Sequence, residues 1–572
     1  MKSLHSVLRV LYLRSLSGFS KKKKKMRAAL VLFLAPLSVK AAVEADEVQS
    51  LPGWDNKSLV TKMYSGFIEP ASNPSHHIHY LFVESERDPT NDPVVLWVQG
   101  GPGGSSLEGA FTENMSPYQI SDESLATSPP TLLRSLSSWT GIANMLFWEA
   151  PSGVGFSYCD AGCPSWNDTT SAQEQASFIC EWLAAFPEYQ SNDFFITGES
   201  YAGVYIPTTA HVLLEEGCAS TNGAAVNLKG VAVGNGCTGT DAGTCSPQRS
   251  VNTFEELAAQ GFVSWSTAAA VRSTCEDSAG FTAASSACQD ALVAASAEAG
   301  PFNNYNVHDT CSSAEDGSTL LSFICDETPG AQDWACAAAG LPPPRIPAKN
   351  RFEGPRGKLY GSLGDGSEAP RSGRLSTKGV NSTQRSGAVS ENDVYAETYP
   401  CNTEDALSTW LSDASVMDAL HVTASGQGSW PGSGIRYTRT AKDLISPAAL
   451  DGYVSLIDAG LRVLIYSGDF DGQVPHFGTE QWTRDLGYPL AKGCEGWRPW
   501  SLDASSVPAG HFVQYEVPGE FTYLTIARAG HMVPAYKPAE ALAMIQRFLD
   551  GGDYTETSQK KSGFVDLRRI SQ

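Results

Sequence analysis

The chain has 572 residues, with 62 acidic and 40 basic side chains and a net charge of −22. Hydrophobic residues make up 42% and aromatics 10%, enough for a large core and incompatible with global disorder. Residues 1–41 hold ten Lys/Arg and no Asp/Glu, so the rest of the chain, with 30 basic against 62 acidic side chains, carries −32; so acidic a body lacks the clustered cations that nucleic-acid phosphates require.

In chain order, the first feature is an address. Lys21–Lys25 and Arg27 are basic, and Ala28–Val39 is a twelve-residue apolar run, short of the roughly 20 residues that span a bilayer. Val39-Lys40-Ala41 offers small residues for cleavage. The spacing predicts a secretory signal peptide over 1–41, with 1–25 an upstream extension if Met26 is the start. No later apolar run reaches about 18 residues, so no membrane span is expected.

Short apolar runs then alternate with helical patterns. Val94–Val98, Asn144–Trp148, Phe194–Thr197, Leu228–Val233, Arg462–Tyr466 and Tyr523–Ala527 read as buried strands. Ile179, Trp182, Leu183 and Phe186 recur at helical spacing between the second and third, and Pro538 opens a last helix carrying Leu542, Ile545 and Phe548. This alternation predicts an α/β fold with a mainly parallel, doubly wound sheet, in two core parts over 46–235 and 396–552 with a polar tail over 553–572. Residues 236–340 are Cys- and Ala/Ser-rich and read as a disulfide-stapled insertion, or cap; Trp265, Tyr305 and Trp334 in it fit either a substrate pocket or its core. Residues 341–395 read as a mobile linker: 341–390 hold nine Lys/Arg against three Asp/Glu and little to bury. Arg345, Arg351, Arg356, Arg371, Arg374 and Arg385 make it a target for excision by trypsin-like enzymes.

Thirteen cysteines at irregular spacings favour disulfides over zinc, with at least one thiol left over, and no metal or other cofactor is expected. Sequons at Asn56, Asn114, Asn167 and Asn381 fit an exported glycoprotein, extracellular or in a lysosome or vacuole.

Three residues in strand-end contexts carry the chemistry. An apolar strand enters Gly198-Glu199-Ser200-Tyr201-Ala202-Gly203, and a helix follows, the arrangement that lifts a serine hydroxyl above a sheet. A serine needs a base, and the base an orienting acid. Asp469 and Asp471 end one later strand and His531 follows another, in the order Ser, Asp, His. Gln99-Gly100-Gly101-Pro102-Gly103-Gly104 follows a strand and offers backbone N–H groups to an oxyanion; no Gly-Lys-Ser/Thr follows, which rejects a phosphate loop.

Together with Leu51-Pro52-Gly53, Tyr64-Ser65-Gly66, Pro151–Tyr158 and Gly234-Asn235-Gly236, the segments Gln99–Ser106, Gly198–Gly203, Gly468–Asp471 and Gly530–Pro534 resemble the serine carboxypeptidase family over about 51–549. The resemblance implies an α/β-hydrolase fold and removal of C-terminal residues from peptides or proteins in an acidic compartment. It implies Ser200 as nucleophile, His531 as base, Asp471 as its partner, and Gly101 and Tyr201 as oxyanion donors. Gln99, Gly100, Glu113 and Glu199 match the positions that bind the substrate's terminal carboxylate. Two carboxyls beside a third resist joint ionisation, so such a site binds best in acid. Gln99 stands where the family has Asn, and Gly104 where it has a Cys whose partner position resembles Cys401. Extra residues follow Glu113. An acyltransferase or esterase on the same scaffold, and a non-enzymatic protective or binding glycoprotein, are the alternatives. Some relatives pair, which leaves a homodimer open.

Overall fold

The computed structural model describes residues 44–54, 58–218, 226–276, 279–282, 284–309, 318–327, 332–341, 403–432, 434–493, 496–503, 507–551 and 554. Its strands are β1 (Met63–Ile68), β2 (His76–Val83), β3 (Val94–Val98), β4 (Asn144–Trp148), β5 (Phe194–Glu199), β6 (Leu228–Gly234), β7 (Arg462–Gly468), β8 (Arg498–Trp500), β9 (Gly510–Tyr515) and β10 (Glu520–Ile526). They form one sheet in the order β1-β2-β4-β3-β5-β6-β7-β10-β9-β8, with Tyr158–Cys159 added against β2. The six inner strands from β4 to β10 are parallel, and two antiparallel strands flank them on each side.

Burial explains the inner strands. Along β3, Val95 and Trp97 enter one core while Val94, Leu96 and Val98 enter another on the opposite face, as expected for a parallel sheet covered on both sides. The helices that cover it are α1 (Ser106–Thr112), α2 (Asp168–Ala185) and α3 (Ala202–Glu216) from the first part of the chain. α2 buries Ile179, Trp182 and Leu183, and Asn167 caps it by accepting the Thr170 N–H at 2.9 Å. The last helix, Pro538–Asp550, buries Leu542, Ile545 and Phe548.

The Cys-rich insertion is helical. α4 (Arg249–Ala259), α5 (Trp265–Thr274), α6 (Ser286–Ala299), α7 (Leu320–Glu327) and α8 (Gln332–Ala338) surround a third core that includes Phe254, Leu257, Leu292, Phe302 and Ile324. Disulfides Cys237–Cys245, Cys275–Cys288 and Cys325–Cys336 staple it, while Cys159–Cys163 and Cys180–Cys218 lie in the sheet region. Trp334 packs on this core, whereas Trp265 is 82% exposed. The insertion meets the sheet where its strands end: Val307 N–H donates to Phe470 O at 2.9 Å and Thr253 Oγ1 to Gly472 O at 2.8 Å. The signal segment, the 342–395 part of the linker, Cys311, Cys401, Cys494, Asn56 and Asn381 lie outside the described residues.

The sequence placed the last inner strand at Tyr523–Ala527; β10 instead begins at Glu520, which pairs with Arg462, and stops at Ile526. The flanking antiparallel strands escaped sequence reading. β2 carries three histidines, and His79 is buried because Glu149 Oε2 lies 2.8 Å from its Nδ1 and Ser65 Oγ 2.9 Å from its Nε2.

Candidate active site

β5 ends at Glu199 and α3 begins at Ala202, leaving Ser200 and Tyr201 in the turn, with Ser200 at φ 60°. A non-glycine residue in that region stores about 1–3 kcal/mol and persists only when its surroundings hold it. Here Ser200 N–H donates to Gly234 O, and its carbonyl accepts from Gly203 and Cys237 N–H, all within 2.9–3.0 Å. The turn has no room for side chains beside it. A Cβ on Gly198 would stand 2.2 Å from Val98 O, and one on Gly100 only 2.5 Å from Ser200 Cβ.

β7 and β10 deliver the acid and the imidazole from neighbouring positions. His531 Nδ1 lies 2.7 Å from Asp471 Oδ2. Three further donors fix that carboxylate: Asn235 Nδ2 at 2.7 Å, Gln473 N–H at 2.7 Å and Val474 N–H at 3.1 Å. From the insertion, Tyr305 O accepts the His531 N–H at 2.7 Å and the Tyr305 ring meets the imidazole edge-to-face at 5.1 Å. His531 Nε2 is buried and, among the described residues, makes no hydrogen bond, so that nitrogen is available to accept a proton. Asp469 does not join this group. It accepts from Arg528 N–H, and burial pushes its pKa up to about 6.

Gly101 follows β3 beside the elbow, and Tyr201 opens α3. Neither backbone N–H takes part in a backbone hydrogen bond among the described residues. The first N–H groups of a helix lack intrahelical acceptors and lie at its positive end, so this corner suits a developing oxyanion.

On the Glu199 side, Gln99 Nε2 donates to Glu113 Oε1 and to Glu199 Oε1, both at 3.1 Å, while Trp97 Nε1 donates to Gln99 Oε1 at 2.7 Å. The indole therefore sets the amide's orientation and commits both its hydrogens to the carboxyls. Both acids are buried, and among the described residues Glu113 Oε2 and Glu199 Oε2 have no partner. Burial raises the Glu113 pKa to about 7 against the pull of Gln99. Glu199 rises well above its ordinary value, first from burial and then from the charge of Glu113. Such a pair holds protons that it can donate to an incoming carboxylate.

The structure thus brings Gln99, Gly100, Gly101, Glu113, Glu199, Ser200, Tyr201, Asp471 and His531 to one end of the sheet. Despite the extra residues after it, Glu113 reaches the cluster, because it ends α1 at the point where the chain turns. Sequence reading assigned no role to Trp97 or Asn235, and offered Tyr305 only as a pocket or core residue of the insertion, not as a contact of His531. Asn235 carried a signal, a lone amide in a Gly-Asn-Gly turn directly after a strand. The Asn114 sequon is corrected: its side chain is buried and accepts from Ser135 Oγ at 3.0 Å, which leaves no space for a glycan. Asn167 stays open to one, since its cap uses only Oδ1. A cavity of about 80 Å³ lined by Arg87, Pro93, Asp193 and Phe195 lies at the opposite ends of β3 and β5 and holds none of the site residues.

Comparison with known proteins agrees with this geometry. The serine carboxypeptidase family model matches residues 52–551. "Serine carboxypeptidase-like 20" of Arabidopsis thaliana is 31% identical over 91% of this chain and 96% of its own length. The "Lysosomal protective protein" of Mus musculus is 31% identical over 90% and 95%. Among solved structures, Kex1(Δ)p, a prohormone-processing carboxypeptidase from Saccharomyces cerevisiae, shares the fold with a TM-score of 0.59 at 18% identity, covering 89% of this chain and 96% of that one. With a matching model across nearly the whole described chain and relatives aligned end to end, the protein belongs to the serine carboxypeptidase family.

Proposed function

We propose that the protein removes single amino acids from the free C-termini of peptides and proteins in an acidic compartment of the secretory pathway, through an acyl-enzyme on Ser200. His531 Nε2 takes the Ser200 proton as the hydroxyl attacks the scissile carbonyl and returns it to the departing amine. Asp471 orients the ring and offsets its transient charge. The Gly101 and Tyr201 N–H groups stabilise the tetrahedral oxyanion, and water then releases the shortened chain by the same route in reverse.

The observation that carries this reading is the buried Glu113–Gln99–Glu199 cluster next to Ser200. An esterase for neutral acyl groups has no use for two buried carboxyls with unpartnered oxygens, whereas a terminal carboxylate needs proton donors at that place. One feature keeps transfer to an alcohol in view: both Gln99 hydrogens are taken by the glutamates, so recognition of a carboxylate falls to the carboxyl protons and the Gly100 N–H.

Blocked dipeptides with free and with amidated C-termini, assayed across pH, test the proposal. Free-ended substrates should be cleaved best in acid, with activity falling as pH rises through about 7, the value to which Glu113 is raised; amidated substrates should persist further upward. Identical profiles would overturn the cluster's role. Fluorophosphonate labelling of Ser200 without amino-acid release, together with acyl transfer to added alcohols, would favour the acyltransferase.

A further inference from the structure

Gln99, Glu199, Gly234 and Tyr466 stand in one row across four neighbouring strands. Glu199 on β5 pairs with Gly234 on β6, and Gly234 pairs with Tyr466 on β7. Gln99 lies one residue beyond the Val98–Gly198 pair of β3 and β5, which brings it level with Glu199 on the other side. Side chains two residues apart on a strand share a face. Phe195, Ala232, Leu464 and Tyr466 all enter the same core, so the row points to that face of the sheet.

Gly234 is the gap in this row. A Cβ there would stand 2.4 Å from Tyr466 Cε2 and Cζ and 2.7 Å from its hydroxyl oxygen. The phenol therefore crosses from β7 to lie over the glycine, with its hydroxyl on the way to β5. Neighbouring strands are about 4.8 Å apart, so the hydroxyl hangs one strand spacing from Glu199, within reach of a glutamate side chain. Tyr466 is 1% exposed, and its hydroxyl makes no hydrogen bond among the described residues. The same is true of Glu199 Oε2. Gln99 approaches Glu199 from the β3 side and takes Oε1. What remains is one carboxyl oxygen without a donor and, on the β6 side, one buried donor without an acceptor.

Which protonation state of Glu199 needs that donor follows from its surroundings. Protonated, the acid has a hydrogen to offer an incoming carboxylate. Ionised, it accepts from Gln99, while Glu113 and Glu108 of α1 and Asp471 beyond β7 all act against its charge. A hydrogen bond to the charged form favours that form, and an unsatisfied charged oxygen in a dry interior is costly. Tyr466 is suited to supply the bond. Burial first, and then the charges of Glu199 and Glu113, hold its pKa well above the ordinary value. The phenol therefore keeps its hydrogen across the whole range in which the carboxyls titrate.

We propose that Tyr466 is a positioning residue of the carboxyl cluster: its hydroxyl turns across Gly234 to donate to Glu199 once that acid ionises, and it thereby governs the pH at which a free C-terminus ceases to be recognised. Tyr466 acts through Glu199 and does not touch the substrate. Gly234 makes the contact possible, since a side chain there would collide with the ring. Recognition of the C-terminus rests on the carboxypeptidase reading, whereas the Tyr466–Glu199 contact does not.

Tyr466→Phe removes the hydroxyl and keeps the ring, which makes it the test. With a blocked dipeptide of free C-terminus, the alkaline midpoint of kcat/KM should move up by about one pH unit, the scale set by losing a hydrogen bond to a charged group. The alkaline limb for the amidated dipeptide should not move, whereas a general distortion of the site would displace both. A midpoint does not depend on the active fraction, so a partly unfolded preparation still reports it. An unmoved midpoint, or equal movement for the two substrates, would overturn the role of Tyr466. If the wild type cleaves no dipeptide, or treats free and amidated ends alike, it is the carboxypeptidase reading that has failed. An infrared titration of the protein without substrate then decides Tyr466 separately. The carboxylic-acid carbonyl band missing from Glu199→Gln belongs to Glu199. In Tyr466→Phe that band should persist to about one pH unit higher than in wild type, and loss at the same pH in both proteins would refute the contact.

Discussion

Asp469 and Asp471 stand two residues apart on one loop, and only Asp471 touches an imidazole. Asp471→Asn should lower kcat by about 10⁴, since an amide cannot balance the charge on His531 or hold its tautomer; Asp469→Asn should stay within about tenfold of wild type, with steady-state kinetics on one dipeptide reading both. The carboxyl cluster makes a second prediction, this time about stability. Glu113 has an ordinary pKa of 4.5 when unfolded and about 7 when folded, so the unfolded chain loses its proton first as pH rises. The stability contributed by the protonated form is complete below about 4.5 and is lost as pH climbs through about 7, a change of about 3 kcal/mol. Melting temperature should therefore fall between pH 5 and 8, and Glu113→Gln should flatten that slope; an equal slope in the variant would remove Glu113 as its source. At this scale the convergence of Ser200, Asp471 and His531 on one end of the sheet was legible, because each follows its own apolar strand. Trp97 was not, since nothing in a buried strand indicates that its indole holds the amide two residues ahead. Asn114 misled because a sequon is a three-residue pattern, and the pattern does not encode burial.

Ser65, His79 and Glu149 form a hydrogen-bonded serine–histidine–carboxylate relay, with contacts of 2.9 and 2.8 Å, and all three are fully buried. It joins elements instead of cleaving bonds. Ser65 lies on β1 and donates to Leu420 O at 2.6 Å, His79 lies on β2, and Glu149 follows β4 and accepts from Ser105 and Trp430. No substrate reaches it, and its serine is not at a strand-to-helix turn. His79→Ala would leave the Glu149 carboxylate short of a partner in a dry interior, a loss of about 3–5 kcal/mol, seen as a lower urea midpoint. Fluorophosphonate labelling of the folded fraction should still locate only Ser200. The same network explains which elements could be read from the sequence. The six parallel strands are centred on apolar runs and announce themselves. β2 is buried through polar residues that satisfy one another, so its hydrophobic pattern is broken although its burial is not.

Across the whole molecule, β1–β6 precede the basic linker of 341–395 and β7–β10 follow it, yet β6 and β7 pair in parallel from Gly230–Arg462 to Gly234–Tyr466. The Asn235–Asp471 bond and the contact of Glu149 with Trp430 also cross between the two parts. Every disulfide among the described residues lies before residue 341. Excision within the linker should consequently give two chains that remain one folded particle. Protein purified from its source should run as two bands on a reducing gel, elute as a single species under native conditions, and keep full activity. One intact band with full activity would refute the processing step and leave the site as described. The linker is an expectation from composition, whereas the seam that would make a cut tolerable depends on a long-range strand pairing that no local pattern encodes.

On the carboxypeptidase reading, the buried cluster of Trp97, Gln99, Glu113 and Glu199 receives the terminal residue beside the nucleophile. A polypeptide held there by its terminal carboxylate would enter end-first, so each turnover would shorten the substrate by one step and leave a fresh terminus of the same kind. Digestion then proceeds as a countdown whose tempo is set residue by residue. A mass spectrum taken during the reaction should be a ladder with single-residue spacing, its rungs most populated wherever removal of the next residue is slowest.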